Sequence, residues 1–259
     1  MRQTHLRPLS AQDQIEFLDR DPGTIPAARM VTGLLSKCAG LSEEEAAGLT
    51  AGQREALLLE LRALTFGDRM ACLLRCPNSG CGQKLDLDLR VSQLILDSKA
   101  VPGEIYEAAV DGWRVKFRLP DGGDQEAVAQ TAYGDEQRAL QVLLARCLQA
   151  VEHEGSPSRE IPAALAERIS AKMAELDPQA EIALDAVCPA CGRTFRTILD
   201  TATFFFTEIA SHARALLGEV HVLAAVYHWS EAAILAMPER RRRRYLDLVD
   251  ASFSRRALA

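Results

Sequence analysis

Cys76-Pro77-Asn78-Ser79-Gly80-Cys81-Gly82 and Cys188-Pro189-Ala190-Cys191-Gly192 share one grammar: cysteine, proline, a short spacer, cysteine, glycine. Tetrahedral zinc takes four sulfurs at about 2.3 Å, and a tight turn brings two of them to one side of the ion. Proline stiffens each turn, and the glycine after each second cysteine permits a backbone conformation closed to other residues. The two turns are therefore read as knuckles of a zinc ribbon, split by the 106 residues that separate Cys81 from Cys188. Cys76, Cys81, Cys188 and Cys191 are the predicted ligands of one structural Zn2+. Four protein sulfurs leave no position for water, so such a site holds structure and hydrolyses nothing.

Two other readings of these cysteines stay open at this level. One is four buried free thiols. The other is a thiol-disulfide pair at Cys188 and Cys191, which would need its first cysteine at a helix N-terminus to lower the thiol pKa. The residues after Cys191, from Arg193 to Ile198, read instead as a strand. Cys38, Cys72 and Cys147 lie among apolar residues and are expected in the core.

The composition is that of a globular chain: 259 residues, 48% hydrophobic and 25% charged, with material for a buried core. The segment 238–259 holds seven arginines against Glu239, Asp247 and Asp250, a balance of +4. Subtracting it from the net −6 leaves −10 on the remainder, a surface that repels a phosphate backbone. No run of about 18 uninterrupted apolar residues occurs, and the N-terminus lacks a signal-peptide core. A cytoplasmic protein with no membrane association is expected, and seven cysteines there are metal ligands or core residues before they are disulfides.

Along the chain, residues 1–40 read as an extended arm with one short helix around Ile15 to Leu18. Two capping boxes follow, Ser42 with Glu45 and Thr50 with Gln53, and the second opens a helix over 51–66. Leu85 to Leu89 alternates apolar and acidic residues, the mark of a half-buried strand. Asp111-Gly112 between two β-rich runs predicts a hairpin. Leu140, Leu143, Leu144, Cys147, Leu148 and Val151 predict one helix ended by Gly155-Ser-Pro, and a further helix runs from Pro162 to Leu176. Strands over 182–187 and 194–199 flank the second cysteine pair. The fold class is α+β, mostly helical, with a split zinc-ribbon-like β module over 41–200 and a C-terminal long-helix plus short-helix segment over 201–259.

In that last segment Phe206, Ile209, Ala213, Leu216, Val220, Leu223 and Tyr227 form a heptad seam. Its expected partner is the helix around Leu140 to Val151, with another protein as the alternative. Arg240 to Arg244 encircle a second helix, and Arg242 falls on the buried stripe, where it should seek a carboxylate. Arg240, Arg243 and Arg244, together with Phe204 and Phe205 off the seam, are the candidate partner-binding residues. His212, His221 and His228 are spread around the helix and cannot share a metal. Phosphate-cradling glycine motifs, Gly-x-Ser-x-Gly and His-Glu-x-x-His are missing, so no catalytic residue and no small-molecule substrate is expected.

Cys-Pro-Ala-Cys-Gly at 188–192, Phe-Phe-Phe-Thr-Glu-Ile at 204–209, Leu-Leu-Gly-Glu-Val-His at 216–221, Tyr-His-Trp-Ser-Glu-Ala-Ala-Ile-Leu-Ala-Met-Pro at 227–238 and Arg-Tyr-Leu-Asp-Leu-Val at 244–249 resemble a known family. Its members are baseplate or baseplate-hub assembly proteins of contractile phages and of phage-derived contractile injection systems. The resemblance implies a non-enzymatic structural or chaperone-like role, with other baseplate or hub proteins as partners and assembly in the producing cell. The rival readings are a zinc-ribbon protein acting on nucleic acid and, behind it, a thiol-disulfide protein.

Overall fold

The computed structural model describes residues 5–20, 24–131 and 134–257, with side chains described as far as Phe253. The chain forms two compact units. The first takes residues up to Pro8 and Pro26–Ala202; the second takes Leu9–Ile25 and the residues from Thr203 onward.

Among the described residues of the first forty, two helices replace the expected extended arm. Ser10 caps α1 (Ala11–Asp19), and the box is completed by Asp13, whose carboxylate accepts from the Ser10 N–H at 2.9 Å. In α2 (Ala27–Ala39) Met30, Val31, Leu34, Leu35 and Cys38 recur at helical spacing and are buried. Both expected capping boxes are present, at Ser42 before α3 (Glu43–Gly48) and at Thr50 before α4 (Ala51–Phe66). A carboxylate also meets the start of α4, where the Gly52 N–H donates to Asp177 at 2.8 Å. A Cβ at Gly52 would stand 2.0 Å from the other oxygen of that carboxylate, so only glycine lets it approach.

Two antiparallel strands follow, β1 (Arg69–Arg75) and β2 (Lys84–Arg90), then the short α5 (Val91–Leu94). The Asp111-Gly112 turn joins β3 (Ile105–Val110) to β4 (Trp113–Arg118), with φ of 48° and 82° at its two residues. These left-handed values match the right-handed twist of a hairpin. After α6 (Gly122–Thr131) and α7 (Glu136–Cys147) the chain departs from the expectation of one helix through Val151. Leu148 begins β5 (Leu148–His153), which pairs with β4, and Gly155 lies in the turn to β6 (Ser156–Pro157). The four strands order as β3-β4-β5-β6. Then come α8 (Ala163–Leu176), β7 (Ala183–Val187) and β8 (Thr194–Ile198), a second isolated two-stranded hairpin. α9 (Thr201–Tyr227), α10 (Glu231–Leu235) and α11 (Glu239–Ala257) complete the α+β chain.

In the first unit the sheet packs on α7 and α8 around Val115, Phe117, Leu144, Cys147, Leu165 and Ile169. Two buried charges there are satisfied by hydrogen bonds. Asp124, 0% exposed, accepts from Arg118 at 2.9 Å, from Arg146 at 2.6 Å and from the Asp121 N–H at 3.0 Å. Burial works against this carboxylate, but the two guanidinium groups and the backbone donor win and hold it down at about 2. Arg54, 1% exposed, spends its guanidinium on the carbonyls of Ala28 and Ala46 and on Thr32 and Gln125.

In the second unit the seam of α9 is the buried stripe. Its neighbours are α1 and α10, which supply Ile15 and Leu235 to a cluster with Ala213 and Leu216. Phe17 of α1 lies 5.1 Å from Phe206, ring to ring. The expected partner, the helix carrying Leu144 and Cys147, is committed to the core of the first unit. α9 is long and apolar enough, by length and composition, to cross a membrane. Its seam is buried against α1 and α10, and its exposed side carries His212 and Arg214.

Candidate metal centre

Each cysteine pair occupies the loop of a two-stranded hairpin. β1 and β2 close on the pair Arg75↔Lys84, so residues 76–83 form the first loop; β7 and β8 close on Val187↔Thr194, so 188–193 form the second. The loops differ by two residues yet repeat the same bonds. The Cys76 N–H donates to the Gln83 carbonyl at 2.8 Å, as the Cys188 N–H does to Arg193 at 2.9 Å. Gly82 (φ 59°) and Gly192 (φ 70°) both donate four residues back, to the carbonyls of Asn78 and Cys188. A Cβ at Gly192 would meet nothing within 4 Å, so glycine serves the left-handed backbone and not a steric gap. The N–H groups of Gln83 and Arg193 then bond the sulfurs of Cys81 and Cys191, and the Asn78 N–H bonds Cys76.

The four sulfurs converge to within 4.8 Å of one another. Cys76 Sγ lies 3.7 Å from Cys191 Sγ, and Cys81 Sγ lies 3.7 Å from Cys188 Sγ, so the closest pairs run between the two loops. Tetrahedral ligands at about 2.3 Å from an ion stand roughly 3.8 Å apart, while a disulfide requires about 2.05 Å. The distances fit the first and not the second, and all seven cysteines are free. Cys76 and Cys188 are buried, Cys81 is half-buried and Cys191 is exposed, so the cluster lies at the surface with its first cysteines inward.

The surroundings treat the cysteines unequally, favouring the thiolate at Cys191 and opposing it at Cys76 and Cys81. The Arg193 N–H, assisted by hydrogen bonds from Cys188, Asn78 and Cys76, lowers Cys191 to about 6. The Asn78 N–H favours the Cys76 thiolate, but burial and the three neighbouring sulfurs outweigh it and raise that thiol to about 11. Cys81 is raised as well, its bond from Gln83 being outweighed by burial and by Cys188 and Cys191. A bound cation would offset the mutual repulsion of thiolates held this close. The all-sulfur donor set suits a borderline-soft ion such as zinc and leaves no open position.

The structure thus brings together all four residues singled out in the sequence. Asn78 was missed: its side chain donates to Cys191 Sγ at 3.8 Å across the loops and accepts from the Gly80 N–H at 3.3 Å. Such a bond orients a ligand sulfur, and an asparagine inside the longer spacer was the available signal. Cys38, Cys72 and Cys147 are buried as expected, and burial pushes the Cys147 thiol up to about 12. Among the described residues no other group of three or more His, Cys, Asp or Glu side chains converges, and His212, His221 and His228 are exposed.

The residues proposed for partner binding are distributed differently from expectation. Arg240, Arg243 and Arg244 are exposed on α11. Phe204 is half-buried, and Phe205 is 0% exposed, so Phe205 is a core residue and offers no surface to a partner. Arg242 is 4% exposed and donates to Glu219 at 2.7 Å, the carboxylate its place on the buried stripe demands.

A family model described as T4 bacteriophage base plate protein matches residues 3–206. The matched span contains all four cysteines and both hairpins, and it begins in the N-terminal segment that carried no part of the resemblance. Comparison with curated proteins and with solved structures finds no match. With most of its length matched, from the N-terminal helices through the cysteine-bearing hairpins, the chain belongs to the T4 bacteriophage base plate protein family.

Proposed function

We propose that this protein is a non-enzymatic structural or assembly component of the baseplate of a contractile tail or injection system, and that Cys76, Cys81, Cys188 and Cys191 bind one structural Zn2+. Family membership supports the baseplate role. The observation that carries the metal is the convergence of four sulfurs within 4.8 Å from two loops so far apart in sequence. When bound, zinc would join the two hairpins and supply folding energy directly. The closed donor set has no place for a reacting water, and the role left to it is mechanical. The strand β8, not a helix, follows Cys191, which removes the support a thiol-disulfide activity would need.

The partners are other baseplate or hub proteins, met during assembly in the cytoplasm of the producing cell. Arg240, Arg243 and Arg244 with the half-buried Phe204 form the proposed contact region. Deleting the gene in a producing cell and imaging the product by electron microscopy tests the role: absent or malformed baseplates are expected, and particles of normal structure and activity would overturn it.

A further inference from the structure

The five successive arginines of α11 fall into two kinds. Arg242 is neutralised by Glu219 and also donates to the Met237 carbonyl at 2.6 Å, and Arg243 pairs with Glu239 one turn away. Arg240, Arg241 and Arg244 are exposed and have no carboxylate partner among the described residues. At about 100° per residue, these three and Leu248 fall within an arc of roughly 100° on the side opposite Arg242 and Val249. Leu248 is 57% exposed and lies one turn beyond Arg244, at the C-terminal end of this row of uncompensated arginines.

Tyr245 borders the same face and is fixed by an aromatic cluster. Tyr227 and Trp229 stack at 4.6 Å, and Tyr245 meets them edge-on at 5.5 and 4.8 Å. The intervening His228 takes φ 57°, a left-handed conformation uncommon outside glycine, which turns the chain so that its two neighbours lie ring on ring. Arginine, tyrosine and tryptophan around an exposed leucine make the composition of a binding hot spot, and here it is held rigid before any partner arrives.

We propose that this face of α11 docks an acidic segment of a neighbouring protein subunit, its carboxylates meeting Arg240, Arg241 and Arg244 and an apolar side chain seated on Leu248. The charge of the face selects the occupant: three unpaired cations call for anions, and the exposed leucine calls for apolar surface beside them. Nucleic acid fits less well. The Tyr227 and Trp229 rings stack on each other and leave no paired platform for bases, and −10 on the rest of the chain repels a polyphosphate. The inference rests on the baseplate reading and sharpens its contact region by adding Arg241 and removing Arg243.

The test places a photoreactive p-benzoylphenylalanine at Leu248 in full-length protein made in the producing cell, with cross-linked peptides identified by mass spectrometry. The expected product joins α11 to an Asp- and Glu-rich segment of another tail protein. Arg240→Glu, Arg241→Glu and Arg244→Glu together should cut its yield about tenfold or more, while Arg214→Glu on the exposed side of α9 retains it and both variants keep the parent melting temperature. A cross-link absent in assembled particles, undiminished in the triple variant, or made instead to nucleic acid or to a second copy overturns the proposal. The gene deletion separates the two claims: particles that form without the gene sink the baseplate reading. Particles that need the gene but form normally with the triple variant sink the docking face alone.

Discussion

The cysteine-bearing hairpins and the four-stranded sheet that separates them in sequence are stabilised by opposite means. In the sheet, Val115 and Phe117 are 1% and 0% exposed and pack on two helices. In the hairpins, Met70 and Cys72 of β1 and Leu184 and Ala186 of β7 are buried, every residue of β2 and β8 stays at least partly exposed, and Leu73, Val187 and Ile198 are each more than half exposed. A two-stranded hairpin is marginal in water without such packing. The difference teaches where the proposed metal would act: four sulfurs would stand in for a core at the point where the chain supplies too little apolar burial to make one.

If that contrast is right, the largest effect comes from the metal. Cys188→Ser, or a strong chelator, should cost more than the roughly 3–5 kcal/mol of the largest core truncations. Hydrogen exchange should accelerate over 69–90 and 183–198 while the amides of β4 and β5 stay protected. Equal acceleration in both regions would break the comparison. Phe117→Ala should come next, at about 3–5 kcal/mol by denaturant melts, with metal content unchanged.

Asp124→Asn should cost about 3 kcal/mol, because it leaves Arg118 and Arg146 without their shared carboxylate. Acid should reproduce part of the loss. Asp124 is held at about 2, below its ordinary 3.8, so its contribution is complete above the unfolded value and disappears as pH falls from about 4 towards 2. The parent should therefore lose stability over that window relative to the variant. The smallest effect concerns Glu55, which burial chiefly, and Asp200 secondarily, raises to about 7. Its protonated form is favoured in the fold, so this contribution is present below about 4.5 and is lost as pH rises through 7. Glu55→Gln should gain on the order of 1 kcal/mol at pH 8 and little at pH 5, read from paired thermal melts.

The cysteine grammar was legible because its signal is chemical and appears twice; no packing information was needed to group the pair Cys76 and Cys81 with the pair Cys188 and Cys191. The capping boxes at Ser42 and Thr50 and the Asp111-Gly112 turn were legible for the same reason, each being a local bond pattern. What failed needed tertiary context. Leu148 and Val151 continue the helical spacing of Leu140 and Leu144, and only pairing with β4 makes them strand. β1 was missed because Ala71 and Leu73 blur the alternation of Met70, Cys72 and Leu74. The box at Ser10 closes with Asp13 instead of the glutamate or glutamine the signature uses, so α1 was read as a fragment. The seam of α9 was read correctly as a stripe, but its periodicity carries no information about which helices cover it.

X-ray absorption at the zinc edge, on protein purified without added metal and assayed for zinc by elemental analysis, tests the central claim most directly. The account predicts about one zinc per chain with four sulfur neighbours at about 2.3 Å. Folded protein without zinc, or zinc bound by nitrogen or oxygen, would contradict it.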